Sequence, residues 1–180
     1  TVSPRLLTAI REAGCWMIGY GIESGNQQVL DSVRKGATLF DAVQAVRMAH
    51  DVGLEVTGHC ILGFPGETAE TMQQTIDFAR FLKLNYAQFY CAVVFPGSGL
   101  FEQGREHGWL DELDWSRFEQ NFSVINTTQL SAEEVMAARE RAYREFYLQP
   151  RLVLASLRKI RSPRELIHFG RMVRDFLTWI

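Results

Sequence analysis

No apolar run in this 180-residue chain approaches the ~20 residues that a membrane-crossing helix needs, which excludes a spanning helix. Cysteine is scarce. Cys15, Cys60 and Cys91 stand far apart, so no spacing groups thiolates around a metal. Three scattered thiols suit a reducing compartment better than a disulfide framework, and the expected location is cytoplasmic. Neither sign of charge dominates. With 19 Lys and Arg against 21 Asp and Glu, the net charge of -2 gives no reason to expect nucleic acid or an anionic membrane as the main partner. The start, Thr1-Val2-Ser3-Pro4-Arg5, has neither an initiator Met nor a signal-peptide pattern and reads as a cut or processed end. Low-complexity segments are absent as well.

What the chain does contain is punctuation by glycine. Gly21-Ile22-Glu23-Ser24-Gly25, Gly63-Phe64-Pro65-Gly66-Glu67 and Phe95-Pro96-Gly97-Ser98-Gly99 each close a strand-like apolar run. The runs cover 15–22, 54–62 and 86–95. Ser3-Pro4 caps a first helix that ends at Gly14, since proline fits a first helical position where its missing N–H is no loss. Ser24-x-x-Gln27 resembles a capping box opening a short helix through Val33. Further helices are expected over 41–52 and over 67–83, the latter with acids in its first turn, where the helix dipole favours them. Strand alternating with helix implies parallel strands, right-handed crossovers and a site at the strands' C-terminal ends. After Gly99 the pattern changes. Residues 101–122 are acidic and aromatic with weak periodicity. Three helices are then expected, from the Ser131-x-x-Glu134 cap to about Leu148, over 151–160, and from Ser162-Pro163 to Trp179. A boundary near 122–130 separates 1–125 from a helical extension over 126–180.

Several residues could carry chemistry. Gly19-x-Gly21-x-x-x-Gly25 is a loose dinucleotide fingerprint, but Glu23 stands where phosphates would lie and no acid follows for a ribose. Glu23, on a turn at a strand's C-terminal end, is placed to accept hydrogen bonds from ribose hydroxyls or an ammonium. The alternative is a solvated acid favoured by the helix dipole. Strand alternation puts Met17, Gly19, Gly21 and Glu23 on one face, and the two glycines leave room beside the carboxylate. Lys35 follows after one short helix, so the chain could double back and set a cation beside the acid, as a zwitterionic ligand needs. By spacing alone, a plain surface charge at the helix C-terminus is the favoured reading of Arg34 and Lys35. Thr57, His59, Ile61 and Gly63 share a face of the second strand. A lone strand histidine reads first as a satisfied core residue. Gln88 either binds a ligand or a neighbouring backbone group. Cys15, Cys60 and Cys91 read as small buried hydrophobes.

Together these segments resemble the radical S-adenosylmethionine enzymes, in particular the cobalamin-binding class that includes the anaerobic magnesium-protoporphyrin ester cyclases and several methylases. Gly21 to Gln27 with Val29-Leu30 and Lys35-Gly36 is similar to that family's fourth strand and following helix. Gly58 to Thr68 is similar to its fifth-strand motif, although His59 stands where glycine is usual. Ala87-Gln88-Phe89 through Ser98 is similar to the sixth strand, and Arg144 to Arg151 to the C-terminal helical extension. The resemblance implies an α/β fold: the second half of a partial six-stranded (βα) barrel, carrying a helical tail. It implies a 4Fe–4S cluster, S-adenosylmethionine cleaved to a 5′-deoxyadenosyl radical, and in some members cobalamin. By position, Glu23 would contact the ribose or amino group and Lys35 the methionine carboxylate. Ile61 and Gly63 would flank the adenine, and backbone near Val94, Phe95 and Pro96 would bond its edge. The family's Cys-x-x-x-Cys-x-x-Cys is absent from this chain. The expectation is therefore a C-terminal fragment of an enzyme acting on a small molecule, itself inactive, holding no cofactor alone and associating as a homodimer through its cut edge. The alternatives are another βα oxidoreductase that binds a dinucleotide, or a non-catalytic scaffold whose C-terminal helices bind a partner.

Overall fold

The computed structural model describes residues 2–110 and 115–179, so part of the acidic, aromatic stretch (111–114) lies outside the described residues. Three strands, β1 (Met17–Glu23), β2 (Glu55–Leu62) and β3 (Tyr86–Cys91), form a parallel sheet in chain order, as the strand–helix alternation predicts. Before β1 comes α1 (Pro4–Glu12); α2 (Gln27–Ser32) and α3 (Leu39–Asp51) join β1 to β2; α4 (Ala69–Phe81) joins β2 to β3. Then follow α5 (Gly99–Glu106), α6 (Ala132–Tyr147), α7 (Pro150–Lys159) and α8 (Pro163–Trp179).

Helix starts follow side-chain capping. Ser3 accepts from the Leu6 N–H, and Ser131 with Glu134 forms the expected capping box. The cap of α2 is Asn26, not Ser24, because the Ser24 hydroxyl is committed to the Asn26 N–H and to Thr75 of α4. The third strand is shorter than its apolar run. Its partner β2 ends at Leu62, whose carbonyl takes the Ala92 N–H, and Gly63 then turns away with φ +85°. Beyond that point Val93 to Phe95 have no strand among the described residues to pair with. The sequence reading also misses α5, whose cap is the Ser98 hydroxyl on the Phe101 N–H.

Burial alternates along β2: Val56, Gly58, Cys60 and Leu62 are buried, whereas Glu55, Thr57, His59 and Ile61 are half-exposed. The buried face joins Ile22, Val46, Met72, Ile76, Ala87 and Phe89 in the core, with Val135, Ala138, Ala142 and Phe146 of α6 packed in as well. Burial of such side chains is the main stabilising contribution, roughly 1.5–3 kcal/mol for each large one. The sheet's two edges are finished differently. Along the outer edge of β3, the Tyr147 hydroxyl donates to the Ala87 carbonyl and accepts from the Ala87 N–H. The Tyr143 hydroxyl accepts from the Phe89 N–H, and Arg139 Nε donates to the Phe89 carbonyl. The Gln120 carbonyl takes the Cys91 N–H. An edge satisfied in this way cannot accept another strand. On the opposite side β1 is the terminal strand, without such a cover among the described residues.

Candidate functional site

At the end of β1 the ladder slips: Gly21 pairs with His59 but Glu23 pairs with Cys60. Such a bulge re-aims a side chain, and Glu23 takes the left-handed backbone with φ 61°. After α2, Arg34 and Gly36 are also left-handed, at φ 54° and 67°, so the chain turns back on itself. This return brings the Lys35 ammonium within 2.7 Å of Glu23 Oε1. Gly21 makes the space: a Cβ there would sit 2.6 Å from Glu23 Oε1 and 2.9 Å from Lys35 Nζ. Both charged groups thus lie over the glycine, with 20% of Glu23 and 31% of Lys35 side-chain surface still exposed.

The loop after β2 lies at the same end of the sheet. There Glu67 Oε2 accepts the Gly63 and Phe64 N–H groups at 2.8 and 2.9 Å. Glu67 is not an acid of the first helical turn. The helix begins one residue after Thr68, its N-cap, and the Glu67 carboxyl is fully buried. Its Oε1 has no hydrogen-bond partner among the described residues. Burial outweighs the two N–H donors and the nearby Thr71 side chain and pushes the Glu67 pKa up to about 7. Gly63 does not share the open face with His59 and Ile61 as strand alternation predicts: its left-handed turn sets it against α6, where a Cβ would come within 2.8 Å of Val135 Cγ1. Ile61 is half-exposed on the open face. Past β3, Val94 is fully buried, Phe95 is 48% exposed with its ring edge-on to Phe118, and Pro96 is exposed.

The open face of the sheet runs below this rim. His59 projects sideways over Gly19, where a Cβ would stand 3.0 Å from its Nε2. On the other side its ring lies parallel to Tyr90, with centroids 6.0 Å apart. Tyr90 in turn donates to Gln88 Oε1 at 2.6 Å. His59 is therefore no enclosed core residue. Tyr90 is a site residue whose one sequence signal is the two-residue alternation from Gln88 that puts it on that face. Beside the free edge of β1 a cavity of about 570 Å³ is lined by Tyr20, Lys35, Thr38, Asp41 and Gln44 among others.

The cysteines do not fit an iron–sulfur cluster. Cys60 and Cys91 are buried, and burial pushes their thiols up to about 12 and about 11. Thiolate ligands need the opposite shift. Among the described residues no group of three or more His, Cys, Asp or Glu side chains could hold a metal ion.

Residues 1–79 match the family model described as the Radical SAM superfamily. An uncharacterised methyltransferase of Pyrococcus horikoshii is 32% identical over 157 residues, covering 87% of this chain and 34% of the relative. An anaerobic magnesium-protoporphyrin IX monomethyl ester cyclase of Rubrivivax gelatinosus is 25% identical, covering 80% of this chain and 26% of the relative. The chain thus spans about a third or less of the length of these curated relatives. Among solved structures, a radical S-adenosylmethionine methyltransferase of Kitasatospora setae, with cobalamin and a 4Fe–4S cluster bound, superposes with a TM-score of 0.54. It is 18% identical and the match covers 79% of this chain and 28% of that one, a likeness of fold.

Proposed function

Since this chain is part of a radical SAM domain, we propose that the C-terminal ends of its strands form one side of an S-adenosylmethionine pocket in a longer enzyme. The observation that carries the reading is the Glu23–Lys35 pair over Gly21: opposite charges, partly exposed, in a space that a methyl group would fill. A zwitterionic ligand offers the matching groups. Glu23 would accept from its ammonium or ribose hydroxyls, and Lys35 would hold its carboxylate. Ile61 and Gly63 would flank the adenine, and the backbone of Val94, Phe95 and Pro96 would meet its edge. When bound, S-adenosylmethionine supplies a sulfonium whose reductive cleavage starts radical chemistry. The residues present do not fit the cluster that such a reduction requires. The cluster would therefore be held by residues outside this chain, and the chain alone would be inactive. Methyl transfer and cyclisation on a small molecule are the reactions that the named relatives suggest.

In the longer enzyme, Glu23→Ala and Lys35→Ala should each weaken S-adenosylmethionine binding by roughly tenfold or more, the scale of one lost charged hydrogen bond. Each should move the melting temperature by only a few degrees, because a partly exposed ion pair contributes about 0–1 kcal/mol. Calorimetric titration beside thermal melts separates the two effects. Unchanged affinity in both variants would make the pair a surface feature and nothing more.

A further inference from the structure

The near-neutral total charge conceals a division. Residues 150–180 hold seven Lys and Arg against two Asp and Glu, net +5, while residues 1–149 hold 12 against 19, net -7. Within the basic part, Lys159 pairs with Glu55, and Arg174 pairs with its neighbour Asp175. The guanidinium groups of Arg158, Arg161, Arg164 and Arg171 form no ion pair among the described residues, although the Arg161 backbone N–H donates to Glu165 Oε2. The same two helices expose aliphatic side chains. Leu154 and Leu157 of α7 and Leu166, Ile167, Met172 and Leu177 of α8 are 43–59% exposed. α8 rests on the protein through Phe176, whose ring meets Tyr147 at 5.8 Å. Its outer side carries Arg164, Ile167, Arg171 and Arg174 at three- and four-residue spacing, a mostly cationic stripe with Ile167 at its centre and Asp175 at its edge.

We infer that α7 and α8 form a docking surface for the headgroup layer of an anionic lipid bilayer. Cations flanked by exposed aliphatic side chains match that layer, where phosphates lie above the acyl boundary. No helix among the described residues is long and apolar enough to cross a membrane, so the contact lies along the surface. Nucleic acid fits less well: it rewards the cations and stacking rings, but six exposed aliphatic side chains gain nothing from phosphate. The orientation suits an enzyme. Lys159 reaches Glu55 and Tyr86, and Arg151 donates to the Leu84 carbonyl, all at the strands' N-terminal ends. The helical tail thus does not cover the strand ends that carry Glu23.

Co-sedimentation of the full chain tests this with vesicles of phosphatidylcholine alone and of phosphatidylglycerol mixed with phosphatidylcholine. Binding should favour the anionic vesicles and fall as salt rises. Arg164→Gln with Arg171→Gln should weaken it roughly 25-fold, about fivefold for each cation. Leu154→Ser with Ile167→Ser should weaken it several-fold while circular dichroism melts stay unchanged, since these side chains are exposed. Equal binding to both vesicles, or to neither, would overturn the inference. So would capture of duplex RNA in preference to anionic vesicles, or light scattering in which the serine variant dissolves a dimer and leaves vesicle binding intact.

Discussion

Gly25→Ala is expected to lower the melting temperature by roughly 10 °C, while Gly99→Ala leaves it unchanged or slightly raised. Gly25 sits where the chain leaves β1 and passes against α4. A Cβ there would lie 2.5 Å from the Gln74 carbonyl oxygen, 2.6 Å from Phe78 Cβ and 2.8 Å from Thr75 Cα. Two of those three atoms are helix backbone, which cannot swing aside as a side-chain tip can. The same turn is tied to α4 by the Gly25 N–H on the Thr75 hydroxyl, by Ser24 on Thr75, and by Asn26 Nδ2 on Gln74 Oε1. Separating the surfaces would strain or break all three bonds. Overpacking of this kind costs about 1–3 kcal/mol, and loss of the buried bonds takes the total toward the upper end. For a chain of this size that is several degrees to roughly 10 °C. Gly99 opens α5 with nothing within 4 Å of its Cβ position, so alanine adds helix propensity without a clash. Equal melting of the two variants would mean that the β1–α2 turn is not held against α4.

The second large effect is a dependence on pH that Glu67→Gln should remove. The buried carboxyl titrates near 7, above its ordinary 4.5, because burial disfavours the charged form more than the Gly63 and Phe64 N–H groups favour it. Between those two pH values the folded chain binds more protons than the unfolded one. The contribution of Glu67 is therefore fully present below about 4.5 and is lost as pH rises through 7, a change of about 3 kcal/mol. Glutamine keeps an oxygen for both N–H groups and cannot ionise. The difference in melting temperature, variant minus wild type, should grow by roughly 10 °C between pH 5 and pH 8. Parallel profiles would show that Glu67 ionises normally in the folded chain. Glu67→Ala offers a control: it leaves two loop N–H groups without their acceptor and should destabilise by about 2–3 kcal/mol at pH 5, a deficit that shrinks toward zero by pH 8 because alanine, like glutamine, cannot ionise.

Much of this architecture was legible in the residues because the signals are local. Alternation of strand and helix located three parallel strands, and Ser3-Pro4 and Ser131-x-x-Glu134 marked helix starts from a few neighbouring side chains. The errors arose where a distant element decided. Ser24 looks like a cap until Thr75, 51 residues away, claims its hydroxyl. Glu67 looks like a helix-dipole acid until the Gly63 turn folds over it. The third strand's apolar run continues beyond Cys91, but pairing stops where β2 stops. Of the candidate site, Glu23 was readable from its place at a strand end. For Lys35 spacing favours a surface charge, because its approach to Glu23 depends on left-handed backbone at Arg34 and Gly36 that spacing does not show. The exposure of His59 depends on the open side of the sheet, which no periodicity within β2 reveals.

The central claim is that Glu23 and Lys35 face a ligand rather than only each other. Exchanging the two, Glu23→Lys with Lys35→Glu, retains opposite charges on adjoining positions over Gly21 and so retains their mutual attraction. It reverses the polarity that a bound zwitterion meets. In the longer enzyme, calorimetric titration of S-adenosylmethionine into the exchanged variant should show affinity reduced by roughly a hundredfold, the loss of two charged hydrogen bonds, with melting within a few degrees of wild type. Wild-type affinity in the exchanged variant would contradict the account and leave the pair as a structural clasp.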